Sequence, residues 1–387
     1  MLIQYCKGCL NHNTAINLHK KTEAIRSKSE SLNDYGLCRV CEYEKKRSKK
    51  KVNFKNRLAQ LDKIIKSSKK INKSEYDCMV TVSGGKDSMR QAFYARDNLK
   101  LNPLLVSSVY PPEQQHTRGA NNLSNLVEHG FDCLSLTLDP IKWKEFMKHS
   151  FFEFGNIFRP TEMALFSIPV HIAISYKIPL IFYGENNLFT TVSGTKNEGS
   201  GGSARTIKEG NTIRGGPKSL NIKNMKDKDS HFYEYPSYSK MRQANLKLVY
   251  LGHYIEDWYA HKNAKIAIDK GLETRKDKPW EMGDLWGHSA LDEDFRIVNQ
   301  YLRYLKLGHG QVTDQVCELI HQKMMTREEA VEKVTQYDGR CDDRYIDQVC
   351  KFFDITNKQF NNVVSDFVNR NLFENINGKW LPKFKPQ

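Results

Sequence analysis

Strands and helices alternate along the chain from residue 76, and one glycine-rich break interrupts the alternation at its first turn; few folds accommodate that pattern. "YDCMVTV" is an apolar run of strand length, "SGGKDS" breaks it, and "SMRQAFYARDNLK" follows with helical periodicity. "PLLVSSV" reads as a second strand, with a helix around Leu123, Leu126 and Val127. "DCLSLTL" is a third, backed by helical "IKWKEFMKHSFFEFG", and "TEMALFSIPVHIAISYKI" is a helix leading into the strand "PLIFYGEN". Short apolar strands between longer periodic helices predict an α/β fold on a doubly wound parallel sheet over about 76–190.

The first turn carries the chemistry. Ser83, Gly84 and Gly85 let the backbone curl so that successive N–H groups face one concavity. A helix starting near Asp87–Ser88 adds its positive end. Lys86 supplies a charge, and the Ser83 and Ser88 hydroxyls can donate to phosphate oxygens. The turn is not a Walker A loop, because Val80 stands where its first glycine belongs and Asp87, not Ser or Thr, follows Lys86. It is not G-x-G-x-x-G either.

Four of the nine cysteines form C-x2-C-x28-C-x2-C: Cys6, Cys9, Cys38 and Cys41. Two such knuckles complete a tetrahedral thiolate shell, and Gly8 and Gly36 suit the tight turns. Structural Zn²⁺ is expected; with four thiolates no open coordination position remains for catalysis. Disulfides are not expected, since the N-terminus shows no export signal. Cys78 and Cys133 lie in strand-like runs, and none of Cys317, Cys341 and Cys350 has ligand spacing.

The formal charge of +15 is uneven: residues 1–75 hold nineteen Lys/Arg against seven Asp/Glu. That surplus suits nucleic acid. It better suits a solvated amphipathic helix, because Val52, Phe54, Leu58, Leu61, Ile64 and Ile65 fall mostly at helical spacing and aromatic interleaving is sparse. No membrane span or signal peptide is evident, which predicts a cytoplasmic protein. The expected organisation is a zinc-knuckle segment over 1–45, a basic helix over 46–75, the sheet domain over 76–260 and a mainly helical region over 261–387. Residues 190–217, rich in Gly, Ser and Thr, read as either a flexible connection or a lid. Thr326 with Glu329, and Thr356 with Gln359, have capping-box spacing.

SGGKDS resembles the signature of the PP-loop ATP pyrophosphatases, which cleave ATP between its α and β phosphates and transfer AMP to a carbonyl-type oxygen. The cysteine knuckles, "GEN" (Gly184, Glu185, Asn186), "TRGANNLSNLVEHGFD", "YLGHYIEDW", "YLRYLKLGHGQVTDQVC" and "MTREEAVEKVTQYDG" are similar to blocks of one branch. That branch is the N-acetyl sugar amidotransferases of bacterial surface-glycan synthesis, and the similarity spreads from Cys6 to about Gly339. The resemblance implies that Val82, Ser83, Gly84, Gly85, Lys86, Asp87, Ser88, Ser107 and Gly184 surround ATP. It implies Lys86, Asp87 and Glu185 in the chemistry, with Mg²⁺ bridging phosphates near Asp87 and Glu185. Asn186, His253, Tyr254, Arg303, Lys306 and Asp314 are candidates for the N-acetylated sugar, although Arg and Lys three residues apart on a helix, as at 303 and 306, are more often a solvated face.

The implied reaction adenylates the N-acetyl oxygen and lets ammonia displace AMP, leaving an acetamidino group. No cysteine stands in a glutaminase-like context, so the resemblance implies a separate glutaminase subunit of the type paired with imidazole glycerol phosphate synthase, with or without a synthase-like subunit. Two other readings stay open: a PP-loop tRNA-modifying enzyme of the 2-thiolation type, and a non-catalytic zinc-knuckle protein that binds nucleic acid.

Overall fold

The computed structural model describes residues 3–13, 32–49, 53–184, 215–223 and 225–387. Glu185, Asn186, Val52 and most of the 190–217 segment lie outside the described residues. Five strands form one parallel sheet: β1 (Cys78–Thr81), β2 (Pro103–Ser108), β3 (Cys133–Leu136), β4 (Leu180–Tyr183) and β5 (Lys247–Tyr250). Their order is β3-β2-β1-β4-β5, so the chain steps outward from β1 on one side, then returns to its other side. The register pairs Val80 with Leu105 and with Phe182.

Both faces of β1, β2, β4 and β5 are buried, which explains strands that are apolar at successive positions, while the edge strand β3 is only partly covered. Cys78, Val80, Leu105, Leu180, Phe182 and Val249 face one core, and Met79, Leu104, Val106, Ile181 and Leu248 face the other. Helices α1 (Arg39–Lys49) and α2 (Phe54–Lys69) precede the sheet. Asn53 caps α2 by accepting from Asn56 N at 3.0 Å. α2 buries Leu61, Ile65 and Ser68 and leaves Leu58 exposed, so its apolar stripe is narrower than the spacing suggests. Helix α3 (Lys86–Phe93) follows β1 and runs into a π-helical turn, Tyr94–Asn98. α4 (Thr117–Glu128) follows β2, and α5 (Pro140–Phe154) and α6 (Arg159–Ser175) connect β3 to β4.

The strand β5 was not expected. "KLVY" is four residues long, too short to carry a period of its own, and its place is set by parallel pairing with β4 from Leu180–Lys247 to Tyr183–Tyr250. After it come α7 (Ala260–Asp269), α8 (Phe295–Leu307), α9 (Gln311–His321), α10 (Arg327–Tyr337), α11 (Asp343–Phe353) and α12 (Asn357–Phe367). The expected capping boxes open α10 and α12, with Thr326 accepting from Glu329 N and Thr356 from Gln359 N, both at 3.2 Å. An antiparallel hairpin, β6 (Phe373–Ile376) with β7 (Lys379–Pro382), follows α12 and was also not expected. Among the described residues no helix is long and apolar enough to cross a membrane.

Candidate functional site

The glycine turn sits where β1 ends, beside the point at which strand order reverses between β1 and β4. In open parallel sheets the crevice at such a point is where ligands bind. Gly84 has φ +77°, a left-handed conformation that an L side chain rarely adopts, and a Cβ there would lie 3.1 Å from Gly119 O. Gly85 is the N-cap of α3 in extended conformation, and no side chain caps the helix. The first N–H groups of α3 therefore face the turn without a side-chain partner. Ser88 is used within the turn: its hydroxyl donates to Gly85 O at 2.9 Å and accepts from Ser83 N at 3.3 Å.

Lys86 and Asp87 are paired, Nζ to Oδ2 at 2.9 Å. The other oxygen of Asp87 accepts from Asn263 Nδ2 on α7 at 2.6 Å. Asn263 Oδ1 accepts in turn from Arg90 Nη1, and Arg90 also binds the Asp257 carboxylate and, at 2.8 Å, the Asp257 carbonyl. The Arg90 guanidinium lies 5.2 Å from the centre of the Trp258 ring. A polar chain thus runs Lys86–Asp87–Asn263–Arg90–Asp257. The sequence held no signal for it, because its two halves lie some 170 residues apart and no local period connects them.

The remaining expected ATP-side residues have these places. Val82 N donates to Val106 O at 2.9 Å, continuing the β1–β2 ladder. Ser107 is buried with a hydroxyl that bonds to nothing. Gly184, the first residue past β4, abuts α3: a Cβ there would lie 3.1 Å from the Gln91 amide and 3.3 Å from Asp87 O. Two histidines also reach this region. Burial first, and the Lys86 charge second, pull His288 down to about 4, so its ring is neutral at pH 7. The Nδ1 atoms of His288 and of His261 are both buried without hydrogen-bond partners. Trp286 stacks on His288, ring centres 5.1 Å apart.

The candidates for the sugar are dispersed. His253 and Tyr254 follow β5; Arg57 of α2 donates to His253 O at 2.8 Å, and burial pulls the His253 ring down to about 4. Tyr254 is fully buried. Arg303 forms a two-pronged pair with Asp314, at 2.6 and 3.1 Å, joining α8 to α9. Lys306 donates to Phe154 O and Gly155 O at 3.1 and 2.8 Å, where it meets the negative end of α5, and burial lowers its pKa to about 8.

The C-terminal half is pressed onto the turn from residues 273–294. Gly119 of α4 has room for no side chain: a Cβ would lie 2.4 Å from the Asp292 Cα. Arg118 donates to Leu291 O at 3.0 Å and meets Asp294 at 3.3 Å, while Arg275 holds Asp294 at 2.9 Å and Asp277 at 2.9 Å. The Asn122 amide bonds the Glu273 backbone in both directions, at 3.0 and 2.7 Å. Residues 290–385 match the family model described as LPS biosynthesis protein WbpG-like, C-terminal domain. Among curated proteins none matches the chain. The matched segment opens on Ala290–Asp294, the loop that seats Gly119 and Arg118, and runs on through the β6–β7 hairpin.

The second site is the cysteine cluster. The Sγ atoms of Cys6, Cys9, Cys38 and Cys41 all lie within 4.8 Å of one another and are buried. Cys9 and Cys38 Sγ are 3.6 Å apart, near the roughly 3.8 Å edge of a tetrahedron with Zn–S bonds of about 2.3 Å. Backbone N–H groups of Gly8, Asn11 and Cys38 donate to sulfur at 3.3, 3.4 and 3.0 Å, as thiolates in a metal shell require. The donor set fits a metal such as zinc. The sequence did not foretell the surroundings: His321 Nε2 lies 3.1 Å from Cys41 Sγ, and Arg327 donates to Cys6 O at 2.9 Å and to Cys9 O.

Proposed function

We propose that this chain is an ATP-dependent, AMP-forming amidotransferase that converts the N-acetyl group of a sugar into an acetamidino group during surface-glycan assembly. The observation that carries the reading is a contact. The uncapped glycine turn at the strand-order reversal, with its SGGKDS signature, packs against a segment similar to an LPS biosynthesis family. The strand order and the helices on both faces support a doubly wound PP-loop domain.

In this reading the N–H groups at the start of α3 and the Lys86 ammonium hold the phosphates of ATP. The acetamido oxygen attacks the α-phosphorus and pyrophosphate leaves, giving an O-adenylyl imidate. Ammonia then adds to the imidate carbon, AMP departs with the oxygen, and one proton is released. A separate glutaminase subunit supplies the ammonia. Asn263 and the Arg90–Asp257 pair fix the Asp87 carboxylate. Asp87 is the described carboxylate that would meet Mg²⁺, which supplies charge neutralisation between phosphates when bound. His288, whose ring burial keeps neutral, and His261 each offer a buried Nδ1 with no hydrogen-bond partner among the described residues.

The test is AMP release by the purified chain with ATP, ammonium and UDP-N-acetyl sugars. Asp87→Ala is expected to lower that rate at least about 100-fold while the melting temperature stays close to wild type, since Asp87 is partly exposed. AMP formed with tRNA and with none of the sugars overturns the reading in favour of RNA modification; an undiminished rate in Asp87→Ala overturns the site.

A further inference from the structure

Among the described residues, one buried cation has no anion. Arg159 opens α6 and is 2% exposed. Its Nη2 donates to Ser219 Oγ at 2.8 Å, and the guanidinium lies 4.2 Å from the centre of the Phe154 ring. Nε and Nη1, which carry three of the five N–H donors of an arginine, are buried and donate to nothing. No carboxylate relieves it: burial alone pulls the group down to about 10. A guanidinium kept dry and unpaired costs several kcal/mol, and folds retain such strain where a ligand relieves it.

Its position points to the ligand side of the sheet. Only four residues separate the end of α6 at Ser175 from the start of β4 at Leu180, so the C-terminus of α6 lies at the amino ends of the strands. The Phe166 ring stacks 5.9 Å from that of Tyr183, the last residue of β4. Arg159 is seven residues earlier, about 10 Å further along the helix at 1.5 Å per residue, and so lies beyond the carboxyl ends. The turn Pro217–Leu220 closes over the guanidinium. Ser219 donates its own hydrogen to Gly216 O at 2.6 Å, leaving its lone pair for Arg159, and His149 Nε2 holds Leu220 O at 2.6 Å.

We propose that Arg159 binds an oxyanion of the acceptor, either the carboxylate of a sugar acid or the diphosphate of a nucleotide sugar. A guanidinium fork matches both groups in geometry and charge. The identity of the ligand rests on the acceptor reading above; the existence of the anion site does not.

The experiment is thermal unfolding and titration calorimetry of the full chain with UDP and, separately, with glucuronate, against equal sodium chloride. Wild type is expected to bind and be stabilised by one of the two, UDP marking a diphosphate site and glucuronate a carboxylate site. Arg159→Met is expected to melt no lower than wild type without ligand, because it removes an uncompensated buried charge, and to lose at least about tenfold in affinity. Should the methionine variant fail to fold, Arg159→Lys, which keeps the charge without the fork, is expected to show the same loss. A wild type that responds to neither compound, or variants with wild-type affinity, overturn the proposal. Because AMP formation is not read, an active enzyme with an unaffected Arg159 variant refutes the anion site alone, and an inactive protein that still passes refutes the amidotransferase alone.

Discussion

The glycine turn and the cysteine knuckle are both small loops seated on the C-terminal half, yet their donors point in opposite senses. At the turn, steric fit does the seating: Gly84 against Gly119, and Gly119 against the backbone of Asp292. That leaves the N–H groups of α3 without a side-chain cap, open to an anion. At the knuckle the N–H groups already point at sulfur, the four thiols point at one another, and Arg327 of α10 occupies the carbonyls of Cys6 and Cys9. On the function proposed above, one loop receives a visiting ligand, while the donor set of the other fits a resident ion. The packing tells them apart more clearly than their composition, since both are short and rich in glycine and polar atoms.

The largest effect is expected at the knuckle. Cys38→Ser, or removal of metal by a strong chelator, should lower stability by at least about 3 kcal/mol, because an ion that fills a closed site contributes its binding energy to folding. The core shared by Cys6, Cys9, Cys38 and Cys41 with Val312, Val316, Ala330 and Val334 carries that loss into α9 and α10. Metal content together with denaturant unfolding measures it, and a chelated protein with unchanged stability would dissolve the distinction between the two loops.

Gly119→Ala comes next. A Cβ placed 2.4 Å from the Asp292 Cα cannot be relieved by rotating a side chain, so the backbone must move. A loss of about 2–3 kcal/mol is expected, with AMP release falling too if the turn depends on that seat. Equal stability of the variant and wild type in urea would mean that the seating is looser than described.

The smallest effect over a single pH unit, at most about 1.4 kcal/mol, concerns titration. Glu293, next to that seat, is raised to about 8 by burial first and by the neighbouring Asp292 and Asp294 charges after it. Its oxygens accept from Arg296 N at 3.1 Å and face Gln114 Nε2 at 3.5 Å. The folded chain keeps a proton that the unfolded chain releases above about 4.3. The stability from this group is complete below that unfolded value and is lost as pH rises towards about 8, by at most about 1.4 kcal/mol per pH unit. Glu293→Gln should flatten that decline, and parallel stability curves for the two proteins would show that Glu293 does not carry it.

Much of the sheet was legible because its signal is local. The runs around Met79, Leu105 and Ile181 are apolar at successive positions, and each is bounded by turn residues or a helix of clear period. Each C-x2-C pair and the boxes at Thr326 and Thr356 are equally local, their partners three residues apart. β5 was not legible: four residues become a strand only because β4 offers its free edge. The partners of Asp87 were hidden for the same reason, since Asn263 becomes relevant only when α7 crosses α3.

By itself, then, the amino-acid sequence determined a parallel α/β sheet, a glycine turn at the end of its first strand and four cysteines in two C-x2-C pairs that fit a metal, each from a local pattern. Only the tertiary structure decided which groups stand around the turn, that Arg303 and Asp314 pair with each other, that Lys306 serves the end of α5, and that Arg159 is buried without a counter-charge. Periodicity and spacing encode what neighbouring residues do to one another. Pairings across a hundred residues or more depend on which faces the whole chain must bury, and no short stretch records that choice.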